Sequence, residues 1–465
     1  MKLVPKLNGT IPEKQIICRD INETICNSTR FPINKAFYNG AQLKKSLSAP
    51  YELLIPANVP ALGFTTITKM VEYSKNRSVQ KAYIELTFDG TGQLMSLKNR
   101  KTGKTIPFKQ EFFVYKGMGY INHTNQSSGA YIFRPNGTQA KKISNVTTVQ
   151  YTEGSLINET RQIIAPWISQ VIRLYRGKNF VEFEWTIGPI PKELKNPITK
   201  EIITRYITAI NSAGIFYTDS NGRQMIERTT NRYPSFPYVN TEPIAGNYYP
   251  VNSRIYIRDS LNQLTVLTDR SHGGSSLKNG QIELMLHRRL FYDDNFGVGE
   301  ALDELGNSGQ GLVVRGRHWI IMESPEDSAK LHRPLAFELY HSPLITFAER
   351  KMTPFDYGRA FITEYSALNR SLSPAINVLT VEMIAPKRLI IRLEHVFQGD
   401  DDKNLAQPIE INLNGLFTAF DIVSMEQLNL ATMKRRIFSK SAQNNPFTPN
   451  HTHSRIYQKA FNPFK

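Results

Sequence analysis

Val181-Glu182-Phe183-Glu184-Trp185-Thr186-Ile187 sets an apolar side chain at every second position, the period of a β-strand with one buried face. Outward from it the same rhythm recurs. Residues 84–88 alternate similarly, Asp89-Gly90-Thr91-Gly92 supplies turn formers, and Leu94-Met95-Ser96-Leu97 resumes the alternation, which is a hairpin signal. Further strands are legible at residues 202–210, 253–257, 263–268, 283–286, 319–322, 375–384, 389–394 and 409–413. Long helical periodicity is scarce and no strand–helix–strand rhythm appears. The expected fold class is therefore mainly β, with several antiparallel β-sandwich domains and a large central super-sandwich. A polar stretch over 72–80 and a break across 323–334, where Ser324-Pro325-Glu326-Asp327 and Arg333-Pro334 interrupt the pattern, divide the chain into units of 1–78, 79–325 and 326–465.

The chain has 465 residues, with 57 Lys and Arg against 40 Asp and Glu, a formal net charge of +17. At 40% apolar and 11% aromatic residues it can build real cores, which excludes a disordered or collagen-like polymer. No apolar run approaches the roughly 18 residues of a membrane span. The positive charge by itself would suit a nucleic-acid binder. Lys and Arg are, however, spread along the chain without any DNA- or RNA-binding signature, so a basic solvated surface is the better account.

Met1-Lys2-Leu3-Val4-Pro5-Lys6 lacks the apolar segment of a secretory signal, yet other features are those of a secreted glycoprotein. Eleven Asn-x-Ser/Thr acceptors begin at Asn8, Asn22, Asn27, Asn76, Asn122, Asn125, Asn136, Asn145, Asn158, Asn369 and Asn450, where chance would give about five. Of these, Asn22, Asn27, Asn136, Asn158 and Asn369 are expected to carry glycans. Two cysteines, Cys18 and Cys26, lie close together among the acceptors. A disulfide could close that short loop if the two Cβ atoms converge, and a secretory route would keep it oxidised. The alternative is a pair of free thiols. Their spacing matches neither a CxxC redox motif nor a zinc knuckle. Glycoprotein features without a leader suggest a piece of a longer precursor.

Four segments are dense in chemistry-bearing residues. In Glu283-Leu284-Met285-Leu286-His287-Arg288-Arg289-Leu290-Phe291-Tyr292-Asp293-Asp294-Asn295-Phe296-Gly297-Val298-Gly299-Glu300 a strand ends in paired Arg, then paired Asp. Consecutive strand residues point to opposite faces, so Arg288 and Arg289 cannot both face one ligand unless a bulge intervenes. Asp293 and Asp294 are for the same reason a poor acid/nucleophile pair, since glycosidase carboxylates must flank one bond. An Arg–Asp network at a strand end is the plain structural alternative. The second segment is Ser127-Ser128-Gly129-Ala130-Tyr131-Ile132-Phe133-Arg134-Pro135-Asn136-Gly137, where small residues allow close backbone approach before a phenol. Tyr131 could donate to a sugar or sit in the core with its hydroxyl satisfied. Ala245-Gly246-Asn247-Tyr248-Tyr249-Pro250-Val251-Asn252 and Asp269-Arg270-Ser271-His272-Gly273-Gly274-Ser275-Ser276-Leu277 complete the set. No phosphate-cradling glycine motif is present. The acidic loop Gln398-Gly399-Asp400-Asp401-Asp402 lacks the ligand alternation of a calcium loop and reads as a solvated hairpin tip.

Together these four segments resemble the C-terminal half of a glycoside hydrolase family 38 α-mannosidase of the lysosomal branch. The resemblance continues through Tyr175-Arg176-Gly177-Lys178-Asn179-Phe180-Val181-Glu182-Phe183-Glu184-Trp185, Phe216-Tyr217-Thr218-Asp219-Ser220-Asn221-Gly222-Arg223 and Arg388-Leu389-Ile390-Ile391-Arg392-Leu393-Glu394-His395. Val59-Pro60-Ala61-Leu62-Gly63-Phe64 and the Cys18/Cys26 spacing are similar too, so it spans nearly the whole chain.

The resemblance implies a retaining enzyme whose zinc ion and nucleophilic Asp belong to an N-terminal α/β domain. That domain's His-x-Asp segment is not matched here, because none of the nine His is followed two residues later by Asp. The implied role is therefore that of a β half, with no catalytic or metal-ligating residue of its own. It would complete an active site that trims α-D-mannose from N-linked oligosaccharides. A Tyr in the segment matching Tyr131, and an Arg in the segment matching Arg288 and Arg289, are implied to contact the bound mannose or its surroundings. The implied partners are the N-terminal catalytic half and mannose-containing oligosaccharides, with room for a homodimer and none for nucleic acid. The implied location is the lysosome, or a vacuolar or secreted compartment. The other reading is a non-catalytic carbohydrate-binding or structural β protein derived from the family.

Overall fold

The computed structural model describes residues 14–19, 30–32, 51–57, 59–67, 83–119, 126–154, 156–233, 236–237, 239–297, 299–306, 309–346, 348, 351–399 and 401–428. Cys26, Asn22 and Asn27 lie outside them, whereas Cys18 sits on the Lys14–Arg19 strand opposite Leu53.

Two large antiparallel sheets hold the chain between Ile84 and Glu323. The nine-stranded sheet runs in the order 224–229, 215–220, 254–258, 263–268, 314–323, 181–187, 168–175, 157–165, 148–153. The eight-stranded sheet runs 249–251, 272–275, 281–289, 200–208, 105–116, 94–99, 84–88, with 141–142 beside 105–116. Phe108, Tyr206 and Ile282 of one sheet share a core with Phe183, Val266 and Ile320 of the other. This is the face-to-face packing of a sandwich, and the mainly β antiparallel expectation holds.

The Val181–Ile187 strand shows why alternation worked and where it fell short. Val181, Phe183, Trp185 and Ile187 are buried, but Glu182 on the opposite face is buried as well. Arg173 bonds to Glu182 at 2.9 Å, to Glu184 at 2.7 Å and to Glu159 at 2.9 Å. Trp319 Nε1 donates to Glu182 at 2.9 Å. A charged face can leave water when each carboxylate finds a guanidinium or an indole N–H.

The break in the strand pattern across 323–334 is taken up by a helix, and two local expectations, for residues 409–413 and for the acidic loop, are corrected. Residues 325–340 form a helix, with Ser324 accepting from the Asp327 N–H at 3.2 Å as N-cap and Pro325 in the first turn. Its Leu335 and Ala336 pack on Leu267, Trp319 and Ile321 of the nine-stranded sheet. Residues 409–413 read as a strand yet join no ladder among the described residues, because a ladder needs a partner edge that alternation cannot supply; the Asn412 carbonyl accepts from Arg370 Nη2 instead. The acidic loop is no solvated tip: Asp401 pairs with buried Arg333 of the helix at 2.6 Å, and Asp402 accepts the N–H groups of Asn404 and Leu405.

Farther along, Ile376–Ala385 and Arg388–His395 form a hairpin. Phe64–Thr65 pairs with Glu364–Tyr365, and Ala61 and Leu62 pack against the core around Leu368, Leu416 and Phe417.

Candidate functional site

Glu201 lies in the middle of the eight-stranded sheet, directly opposite Arg288 on one neighbour and Tyr115 on the other. Glu201 is 1% exposed. Arg288 grips it with a two-pronged fork, Nε to Oε2 at 2.8 Å and Nη2 to Oε1 at 2.6 Å. Such paired charge-assisted bonds fix orientation as well as adding attraction. Ser128 Oγ donates to the same Glu201 at 2.8 Å and accepts the Arg134 N–H at 3.1 Å. Arg288 Nη2 also donates to the Ile132 carbonyl at 3.0 Å. The loop bearing Tyr131 is thus fastened to the sheet on both sides of that residue.

A second clamp comes from Asp294, which is wholly buried. Its Oδ2 accepts the Tyr131 N–H at 2.7 Å and its Oδ1 the Phe296 N–H at 3.1 Å, while its carbonyl accepts from Gln126 Nε2 at 3.0 Å. Gly129 is required here because an added Cβ would lie 2.5 Å from Asp294 Cβ. Held this way, Tyr131 remains 67% exposed. The two Asp residues do not form a catalytic pair, since both Asp294 oxygens serve backbone N–H groups and Asp293 Oδ2 accepts the Asn295 N–H at 3.1 Å.

Arg289 faces the other way. Its Nε donates to Asp303 at 2.5 Å and its Nη1 to the Ile190 carbonyl at 2.6 Å, and the guanidinium packs over Phe291. The sheet does contain a register shift, between Ile202 and Ile203, but it falls before the Arg pair. Normal pleating therefore keeps Arg288 and Arg289 on opposite faces. Of the two, Arg288 is the one bonded to the Tyr131 loop, at the Ile132 carbonyl.

Beside Tyr131 runs a groove of about 790 Å³ whose walls include Arg134, Glu242, Tyr248, His272 and Met285. Three of the four dense segments border it, and the fourth contributes Met285. Arg134 and Glu242 pair at 3.3 Å. Phe133 meets the edges of Tyr115 and Tyr248, ring centroids 5.7 and 5.2 Å away. Below them Glu283 accepts from Tyr115 Oη at 3.0 Å and from Tyr248 Oη and Arg205 Nε. Burial raises both phenols well above the ordinary tyrosine range, and the Glu283 carboxylate adds to it. They stay protonated donors. Burial pushes His272 below the ordinary histidine range, and its Nδ1 lies 2.6 Å from the Met285 carbonyl, the geometry of a neutral imidazole donating there.

Zinc does not fit this set of residues. Among the described residues no three His, Cys, Asp or Glu side chains gather as a metal site. His272 and His318 have ring centroids 5.2 Å apart, but no carboxylate joins them. What the groove offers instead is the exposed Tyr131 phenol beside aromatic walls whose own donors are already paired, a surface suited to hydroxyl-rich ligands.

Glu201 and Glu283 were not singled out from the sequence, although both sit in strands at positions where a carboxylate needs a buried partner. That mismatch is the only signal that could have found them. Asn136 lies exposed on a turn, Asn158 is half-buried on the Ile157–Ala165 strand with its Oδ1 accepting from Arg176 at 3.0 Å, and Asn369 lies on the C-terminal region.

A family model for the glycosyl hydrolases family 38 C-terminal domain matches residues 79–296. The lysosomal alpha-mannosidase of Bos taurus is 41% identical over 403 residues, covering 84% of this chain and 40% of that protein. That of Mus musculus is 41% identical over 402 residues, covering 82% and 39%. The chain thus spans about two fifths of the length of the curated relatives it matches. An alpha-mannosidase from Enterococcus faecalis V583 superposes with a TM-score of 0.50 over 83% of this chain and 44% of that one, at 14% identity, a likeness of fold.

Proposed function

The chain belongs to the family 38 glycosyl hydrolases through its C-terminal-domain region, and from that membership we propose that it is the β half of a retaining α-mannosidase. With its N-terminal half it hydrolyses terminal α-D-mannose residues of N-glycan oligosaccharides, in the lysosome as its named mammalian relatives imply. The observation that carries this reading is the double clamp, Glu201–Arg288–Ser128 on one side and Asp294 on the other, which presents the Tyr131 phenol at the mouth of the groove.

The roles of these residues follow from their free valences. The Tyr131 hydroxyl donates to a sugar hydroxyl. Arg288 spends Nε and Nη2 on Glu201 and Ile132, and among the described residues Nη1 has no partner, so its two hydrogens are available to ligand. In the intact enzyme a carboxylate of the other half attacks the anomeric carbon and an acid protonates the leaving oxygen. Any zinc would be held by that other half and would supply Lewis-acid chemistry there. This chain walls off the pocket, orients the sugar and limits water. By itself it lacks the nucleophile and is inactive. We also keep the division into 1–78, 79–325 and 326–465 and the Cys18–Cys26 disulfide as parts of this reading, the latter checked by peptide mapping without reduction.

The test is α-mannosidase activity on a chromogenic mannoside with added zinc, for the chain alone and mixed with a matching N-terminal half. Activity in the mixture alone supports the reading. Activity in the chain alone would mean that a catalytic site lies within these sandwiches. A second reading, a non-catalytic carbohydrate-binding protein, is favoured by the groove lying wholly on this chain. Mannose-oligosaccharide binding by the chain, with no activity in the mixture, would select it.

A further inference from the structure

We propose that the folded chain carries N-linked glycans at Asn136 and Asn145 and that the acceptor at Asn369 stays unmodified. Transfer joins Asn Nδ2 to the anomeric carbon of an N-acetylglucosamine-ended oligosaccharide. The nitrogen loses one hydrogen as a proton, and the bond from that carbon to its lipid-diphosphate donor breaks, with the diphosphate leaving on the electron pair. The product keeps a single N–H and needs open space beside the nitrogen. Folding therefore sorts glycosylated chains by how each Nδ2 is employed, and not by exposure, since Asn369 is exposed as well.

Asn369 employs it fully. Nδ2 donates to the Gly415 carbonyl at 3.2 Å and to the Phe417 carbonyl at 3.1 Å, using both hydrogens. These bonds reinforce a backbone clasp in which Asn369 N–H donates to Leu416, Thr418 N–H donates to Ala367, and Leu368 bridges Phe417. Leu368, Leu416 and Phe417 are the buried centre of the core beneath it. A sugar on Nδ2 would remove one donor and occupy the place of an acceptor.

Asn136 and Asn145 have neither obstacle. Asn136 is exposed on a turn completed by Gly137 at φ +87°, with Thr138 exposed beside it. Asn145 is exposed on the connection before the Thr148–Glu153 strand, next to Val146, which is 64% exposed. Among the described residues neither side-chain amide has a partner, while the backbone around each is held, by Asn136 N–H to Lys116 and Thr147 N–H to Thr91. Each acceptor is thus fixed in place with its amide in water. This departs from the sequence expectation for Asn369 and adds Asn145. It needs passage through a glycosylating compartment and stands whether or not the mannosidase reading holds.

The test takes the full chain from a glycosylating eukaryotic host, in its monodisperse, protease-resistant fraction, and removes glycans with an amidase in heavy-oxygen water. Mass-tagged Asp is expected at positions 136 and 145 and unmodified Asn at 369. Thr138→Ala and Thr147→Ala, which destroy the acceptor motifs while keeping each Asn, should each lower the mass by one glycan. Ser371→Ala should leave it unchanged. A tag at 369, or its absence at either 136 or 145, overturns the proposal.

Discussion

The buried Asp294 carboxylate accepts the Tyr131 backbone N–H at 2.7 Å, joining two loops 163 residues apart in sequence. Removing it strands that N–H, and a lost partner for a buried polar group costs about 1–3 kcal/mol. Asp294→Ala is expected to lower the melting temperature of the chain, and in the assembled enzyme to lower turnover through the displaced Tyr131. Asp294→Asn keeps one carbonyl oxygen and should fall between. Thermal unfolding of both variants checks the order, and an unchanged melting temperature for Asp294→Ala would count against the clamp.

The two neighbouring arginines should separate function from stability. Arg288→Ala in the assembled enzyme is expected to reduce kcat/KM on a chromogenic mannoside by about 10²-fold or more, the scale of losing one directed donor at a reacting centre. Arg289→Ala should leave kcat/KM near the parent value. It should instead destabilise by about 1–3 kcal/mol, because the Ile190 carbonyl loses its partner and Asp303 keeps only Lys192. Equal effects of the two on activity would break the assignment.

Arg288→Lys tests geometry apart from charge. An ammonium cannot reproduce the fork on both Glu201 oxygens, so most of the loss seen in Arg288→Ala should persist. Full activity in the Lys variant would show that charge alone suffices.

Gly129→Ala should act through space. The new methyl would sit 2.5 Å from Asp294 Cβ and 2.7 Å from the Asp294 backbone nitrogen, so one loop must move. Overpacking of this kind costs typically about 1–3 kcal/mol. Denaturant unfolding should show a lower midpoint with an unchanged slope.

Buried histidines predict an acid-side loss of stability. Burial holds His318 well below the ordinary histidine range, with His272 and Arg270 pushing the same way, and burial does the same to His332 beside Arg254 and Arg333. The unfolded chain takes up protons at these residues near the ordinary value of 6.5, and the folded chain does not. Above that value the two states bind equal numbers of protons and stability is indifferent to pH. Below it the unfolded state is favoured by up to about 1.4 kcal/mol per pH unit for each histidine. Melting temperature should therefore fall from pH 7 to pH 5, and His318→Gln should flatten the slope.

Much of the fold was present in local pattern. Alternation in Val181–Ile187 required a strand with one apolar face, and turn formers between such strands required antiparallel sheets, because a side-chain period of two is a property of each strand by itself. The same locality kept Arg288 and Arg289 on opposite faces. Resemblance brought Tyr131 and the Arg pair forward as site residues.

Only the tertiary structure decided which arginine bonds to the loop bearing Tyr131, because that depends on which sheet face the 126–134 loop covers. It likewise decided that Glu201, 87 residues before Arg288, is the anchor. It left residues 409–413, an expected strand, outside any ladder among the described residues, and brought the 245–252 and 269–277 segments to one groove. Each of these outcomes depends on a partner far away in sequence. A strand's period is written in its own residues, but a hydrogen bond across a sheet belongs to two segments at once, and their meeting is fixed by the packing of the whole sandwich.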